Sequence, residues 1–286
     1  MRRWLSFAVE GSQCAATLDE AAGATGLLIV SGGNEIRSGA HRGMARLAAA
    51  VARAGYPVLR FDRRGVGDSE GDNGGFESSA EDLAAAVAVF REQCPQLTKI
   101  VGFGNCDAAS ALLLHHRVGG VDALLLGNPW TIEGEDVVEP QNRSSDIGNP
   151  DISVPYETSA LPPAAAIRAR YWAKLKDPRE WWRLLRGGVN LAKLVKGLKA
   201  ASSAPAPSGL AARLAAAAAR IEVPMTVLIA SGDGTAQAFL SEWSRPSFKG
   251  MRDKARIERF DTPSHSFADA ASRAWLEARV LEALAG

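Results

Sequence analysis

Six short apolar runs set the limits on how this chain can fold: GLLIVSG, YPVLRFD, KIVGFG, VDALLLGN, PMTVLIASG and ARIERF. Each is short, largely uninterrupted and mostly rich in branched apolar residues, with little of the alternation expected of a strand that has one wet face. Such runs fit strands covered on both faces, as in parallel sheets. Parallel neighbours cannot be joined by a tight turn, and alanine-rich helical stretches such as RGMARLAAAVARAG and SAEDLAAAVAVFREQ supply the crossovers. Ahead of them, WLSFAVEG and QCAATLDE alternate apolar and polar residues around Gly11-Ser12, which reads as a hairpin. The expected fold class is α/β, a mostly parallel eight-stranded sheet flanked by helices.

One interval breaks the alternation. Between VDALLLGN and PMTVLIASG there is no strand signal over a length far beyond an ordinary connection. AIRARYWAKLKDPREWWRLLRGGVNLAKLVKGLKA has helical periodicity there, interrupted by a proline and a Gly-Gly pair, and ASSAPAPS leads into a return helix. The expected organisation is a core of residues 1–130 and 221–286 with a helical cap inserted at 131–220. The cap is basic: Arg168, Arg170, Lys174, Arg183 and Lys196 are among cations opposed there only by Asp177 and Glu180, and Tyr171, Trp172, Trp181 and Trp182 lie between them. A solvated helix face is the plain reading. The sharper ones are a site for coenzyme A or a carrier-protein thioester, or peripheral contact with a membrane surface.

Composition narrows the function classes. A net charge of +1 over 286 residues argues against a nucleic-acid partner, which calls for a strongly basic surface. The three cysteines, Cys14, Cys94 and Cys106, make neither an even disulfide framework nor a metal-ligand spacing, so a reducing, cytoplasmic setting without metal or cofactor is expected. MRRWLSFAVEG reads as a strand rather than a signal peptide, and no apolar run is long enough to span a bilayer.

The chemistry concentrates in VGFGNCDAAS, a strand running into a helix. A nucleophile at such a turn needs small residues two positions to either side, and Gly104 and Ala108 flank Cys106 in that way. Asp107 in the same role would put Asn105 where the leading glycine belongs, and Ser110 falls one turn too late; a buried, inert cysteine is the bland alternative. A cysteine nucleophile needs a base and an orienting carboxylate. After PMTVLIASG comes Asp233, and after ARIERF comes His265, the order nucleophile, acid, base. Of the other histidines, His41 lies in the loop after GLLIVSG, and His115 and His116 lie on the helix leaving the elbow, where an interhelical or surface hydrogen bond is the simpler role. Oxyanion donors are expected from the N–H of Asp107 and from that of Gly33, with Asn34 as the alternative to Gly33. In RFDRRGVGDSEG, Asp62 and Arg64 are expected to pair locally while the glycines shape a turn.

With SGGNEIRSGAHRGMARLA, YPVLRFDRRGVGDSEG, GNCDAASA, LLLGNPW and SGDGTAQAF in place, the chain resembles the α/β-hydrolase fold over nearly its whole length. More narrowly it is similar to the first type of exosortase A system-associated hydrolases, found beside bacterial exopolysaccharide and protein-sorting genes. The resemblance implies a triad of Cys106, Asp233 and His265 beneath a cap. The expected activity is hydrolysis of a small-molecule ester or thioester through an acyl-enzyme. Acyl transfer by the same triad, and a non-catalytic binding protein on a hydrolase scaffold, are the alternatives.

Overall fold

The computed structural model describes residues 1–132 and 209–286. Strands β1 (Arg2–Val9) and β2 (Ser12–Asp19) form the expected hairpin. Its two-residue turn is Glu10-Gly11, with φ of 47° and 89°, so it falls one residue earlier than the Gly-Ser pair suggested. Positive φ at both central positions matches the twist of the flanking strands.

The apolar runs become β3 (Thr25–Val30), β4 (Val58–Phe61), β5 (Lys99–Asn105), β6 (Ala123–Gly127), β7 (Met225–Ala230) and β8 (Ala255–Phe260). The eight strands lie in the order β1-β2-β4-β3-β5-β6-β7-β8, and every pairing from β4 onward across the sheet is parallel. β2 runs antiparallel to both β1 and β4.

Successive side chains of β3 go to opposite faces, as a strand requires. Leu28 and Val30 join a cluster with Leu83 and Phe90 of α2 (Ala80–Gln93), Ala109 and Leu112 of α3 (Asp107–Gly119), and Phe239 of α5 (Gly234–Trp243). Leu27 and Ile29 join another with Leu47 and Val51 of α1 (Gly43–Arg53) and Leu276 and Val280 of α6 (Ala270–Ala285). Helices therefore cover both faces, which is why the central runs read as continuous rather than alternating. Each such side chain taken fully out of water contributes about 1.5–3 kcal/mol.

The expected cap at 131–220, with its basic and tryptophan-rich stretch, falls outside the described residues except at its two ends. At the C-terminal end is α4 (Gly209–Ala219), whose Leu210, Ala211, Leu214 and Ala218 are buried in the same cluster as α2 and α3. That helix is part of the layer that covers the sheet.

Asp62 and Arg64 do not pair. Asp62 is fully buried and takes both the backbone N–H and the guanidinium of Arg37, whereas Arg64 reaches Asp82 at 2.5 Å and also Glu10. β3 and β4 are parallel neighbours, so their following loops leave the sheet side by side and bring Arg37 to Asp62. A guanidinium as buried as that of Arg37 needs an anion beside it, and this requirement outweighs closeness in sequence. Gly65, Gly67 and Gly71 all have positive φ and do shape the turn.

Candidate active site

β5 ends at Asn105 and α3 begins at Asp107, which leaves Cys106 alone to make the turn, at φ 63° and ψ −128°. For a residue with a side chain this conformation costs about 1–3 kcal/mol and persists only where its surroundings enforce it. They do. The Cys106 N–H donates to the Gly127 carbonyl at 2.9 Å, and the Cys106 carbonyl accepts from Ala109 at 3.1 Å and Trp130 at 3.2 Å. Gly104 is the steric condition, because a Cβ there would lie 2.6 Å from the carbonyl carbon of Ala108. Gly104→Ala is expected to lower stability by about 1–3 kcal/mol, read as a fall in the thermal denaturation midpoint.

Asp233 lies in the turn after β7 and caps α5, with Oδ2 accepting the Ala236 N–H at 2.9 Å. His265 lies on the loop after β8, and the two loops are tied by a 2.9 Å bond from the Gly232 N–H to the Thr262 carbonyl. His265 Nδ1 lies 3.0 Å from Asp233 Oδ2, and the Cys106 side chain is near enough to the same ring to favour its protonated form. Three positions distant in the chain thus form one contiguous row. Burial of the ring opposes protonation, yet the bonds to Asp233 and Cys106 and the negative charge of those two groups outweigh it and raise His265 to about 10.

Two asparagines that the sequence reading gave no role hold the histidine loop. Asn128 Nδ2 donates to the His265 carbonyl at 3.0 Å and Asn105 Nδ2 donates to it at 3.2 Å. Asn128 Nδ2 also reaches Asn105 Oδ1 at 3.1 Å, while Asn128 Oδ1 accepts the Ala230 N–H at 2.8 Å. The signal was present in the sequence, since the adjacent runs KIVGFGN and VDALLLGN both end in Gly-Asn. A polar residue closing a fully buried strand needs partners. Asn128→Leu strands the Ala230 N–H in the interior and frees the His265 loop. A loss of about 1–3 kcal/mol in chemical denaturation is expected.

The loop after β3 stands against the elbow. A Cβ on Gly32 would be 2.7 Å from the Asn105 carbonyl oxygen and 3.6 Å from the Cys106 Cβ. Asp107 is the first residue of α3, so its N–H has no acceptor within the helix. The Gly33 N–H donates to Asp107 Oδ1 at 2.6 Å, and the Asn34 side chain accepts from Asn73 at 2.7 Å. Glu35, also without a role in the sequence reading, shares this neighbourhood. Burial, with the charge of Asp107 added, holds its carboxyl above the usual range, against the pull of the Ala40 N–H, His265 and His41.

The remaining candidates lie elsewhere. His116 is buried with Nδ1 3.2 Å from the Leu113 carbonyl, and burial lowers both His115 and His116. Ser110 is buried and donates to the Trp130 carbonyl at 2.6 Å. Cys14 and Cys94 are buried and burial raises both thiols, whereas Cys106 is partly exposed. Among the described residues no cluster of His, Cys, Asp and Glu is arranged to hold a metal ion, and no helix is long and apolar enough to cross a membrane.

Comparison with known proteins bears on the family and the fold. A model described as "Alpha/beta hydrolase family" matches residues 27–282. No curated protein matches the sequence. Among solved structures, the Pyrococcus furiosus esterase Pf2001 is similar at a TM-score of 0.61 and 16% identity, over 99% of this chain and 91% of that one. A thioesterase domain from the curacin biosynthetic pathway is similar at a TM-score of 0.53 and 16% identity, over 98% and 99% of the two chains. Est1E from Butyrivibrio proteoclasticus, solved with ferulic acid bound, is similar at a TM-score of 0.57 and 13% identity, over 99% and 100%. At these identities the likeness is one of fold.

Proposed function

The chain belongs to the alpha/beta hydrolase family, and from that premise we propose that it hydrolyses carboxylic esters or thioesters through an acyl-enzyme on Cys106. The observation that carries this reading is the position of His265, 3.0 Å from Asp233 through Nδ1, with its protonated form favoured by Asp233 and Cys106. A positive ring beside sulfur is what a thiolate nucleophile needs.

With Nδ1 on Asp233, Nε2 is left to face sulfur and substrate. The Cys106 thiolate attacks the acyl carbon, a C–S bond forms, and the carbonyl electron pair moves onto oxygen, where backbone N–H groups of Asp107 and the 33–34 loop receive the charge. As the tetrahedral species collapses, the imidazolium gives its proton to the departing alkoxide or thiolate. The neutral ring then takes a proton from water as it attacks the thioester carbon. Collapse returns the acid, the Cys106 thiolate and a protonated His265. Asp233 holds the ring in this orientation throughout.

Sulfur at the elbow favours thioesters and activated esters, in which the leaving group departs as readily as the enzyme's own thiolate. The basic segment rich in tryptophan between Arg168 and Lys199 supports an anionic carrier, such as coenzyme A or a carrier-protein thioester, as the natural donor. Peripheral contact of that segment with a membrane is the competing use. The narrower likeness to exosortase-associated hydrolases and a reducing, cytoplasmic setting belong to the same proposal. Release of acid from p-nitrophenyl butyrate and short acyl-coenzyme A, measured with and without an added alcohol or amine acceptor, separates hydrolysis from acyl transfer. A protein that releases neither product is a binding module.

A further inference from the structure

Gly33 is the obvious second oxyanion donor, but its N–H is already engaged by the Asp107 carboxylate at 2.6 Å. On the other side of Gly33, its carbonyl accepts from Arg63 Nη2, also at 2.6 Å. Arg63 comes from the loop after β4, its side chain is 4% exposed, and Nη2 lies 3.8 Å from Asp107 Oδ2. Among the described residues its Nη1 is buried without a hydrogen-bond partner, an arrangement that costs stability. We infer that Asp107 and Arg63 are positioning residues that clamp the two peptide units flanking Gly33, so that the Asn34 N–H, rather than that of Gly33, serves the oxyanion.

The clamp follows from peptide geometry. No peptide bond among the described residues is cis, so the N–H of Asn34 points opposite to the Gly33 carbonyl in the same planar unit. Fixing that carbonyl on Arg63 therefore fixes the direction of the Asn34 N–H. Among the described residues nothing accepts that N–H, whereas the N–H of Gly33 is taken. Gly33 sits at φ 54°, where a chain without such ties would move freely. Arg63 has a second effect: a carboxylate one residue past the nucleophile would repel a developing oxyanion, and the guanidinium offsets that charge. The side chains that act most strongly on His265 are Asp233 and Cys106.

This inference rests on the acyl-enzyme reading, and its test separates the two. Attack on a carbonyl needs the oxyanion donors, whereas displacement of iodide from iodoacetamide by the same sulfur needs them far less. Acylation of Cys106 by p-nitrophenyl butyrate and alkylation by iodoacetamide are timed in wild type, Asp107→Ala, Asp107→Asn and Arg63→Met, with the pH profile of each. The clamp predicts acylation slower by about 10²-fold in Asp107→Ala and Arg63→Met, as for a reacting group misplaced by an ångström. Asp107→Asn, which keeps an oxygen for the Gly33 N–H, recovers to within about tenfold. Alkylation rates and pH profiles stay where they are. Equal acylation in wild type and Asp107→Ala overturns the clamp while the hydrolase reading stands. Parallel loss of acylation and alkylation also overturns it, because the damage is then general. A wild type that alkylates yet never acylates removes both.

Discussion

Cys106→Ala is expected to remove acyl turnover, lowering kcat/KM for p-nitrophenyl butyrate by about 10⁴-fold or more while leaving the fold intact. Among the described residues, neither Ser110 nor the other two cysteines is placed to replace this sulfur. Ser110 is buried one turn into α3 and bonded to the Trp130 carbonyl, and Cys14 and Cys94 are enclosed in the core with thiols that burial keeps protonated. Groups that act as one unit are strongly non-additive, so His265→Ala in the Cys106→Ala background should cost almost nothing more. The single and double variants, assayed together, check both statements. A double variant that loses a further large factor would mean that the ring works on something other than this sulfur.

Asp233→Asn should be nearly as damaging, by about 10³–10⁴-fold in kcat, because an amide can present a donor to Nδ1 and reverse the tautomer that the ring needs. The change also has a signature in stability. His265 is raised from 6.5 to about 10 in the folded protein, with burial opposing and the bonds and charges of Asp233 and Cys106 prevailing. A group raised on folding contributes stability that is fully present below its unfolded pKa and is lost as pH climbs through the folded value. Wild type should therefore lose stability between about pH 6.5 and 10 more steeply than Asp233→Asn, whose ring has lost one of its two anionic partners. Urea denaturation at several pH values in that window measures it. Parallel curves would show that the Asp233 contact does not hold the proton.

The fold was legible because burial on both faces leaves a composition signature: Leu27 to Val30 are all apolar and all buried, two toward each cluster. The row of Cys106, His265 and Asp233 was legible because parallel strands all deliver their C-terminal ends to one edge, so polar residues in the loops after each run are candidates by position. What the sequence hid were contacts between loops. Asp62 looked like a partner for Arg64 two residues away, but a buried Arg37 arriving from the neighbouring strand took it. Gly33 looked free, but the side chain of Asp107 lay within reach of its N–H. Nor does pattern reading assign a role to Asn105 and Asn128, whose partners are each other, the His265 carbonyl and the end of β7. Their shared Gly-Asn ending was visible, although its meaning depends on β5 and β6 being neighbours.

The central claim is that one sulfur carries the acyl group. Rapid mixing of the protein with a short acyl thioester, acid quench and peptide mapping by mass spectrometry tests it directly. The expected result is a single acyl adduct on the peptide containing Cys106, with those of Cys14 and Cys94 unmodified and no adduct in Cys106→Ala. An adduct elsewhere, or acid released at the wild-type rate by Cys106→Ala, would contradict it.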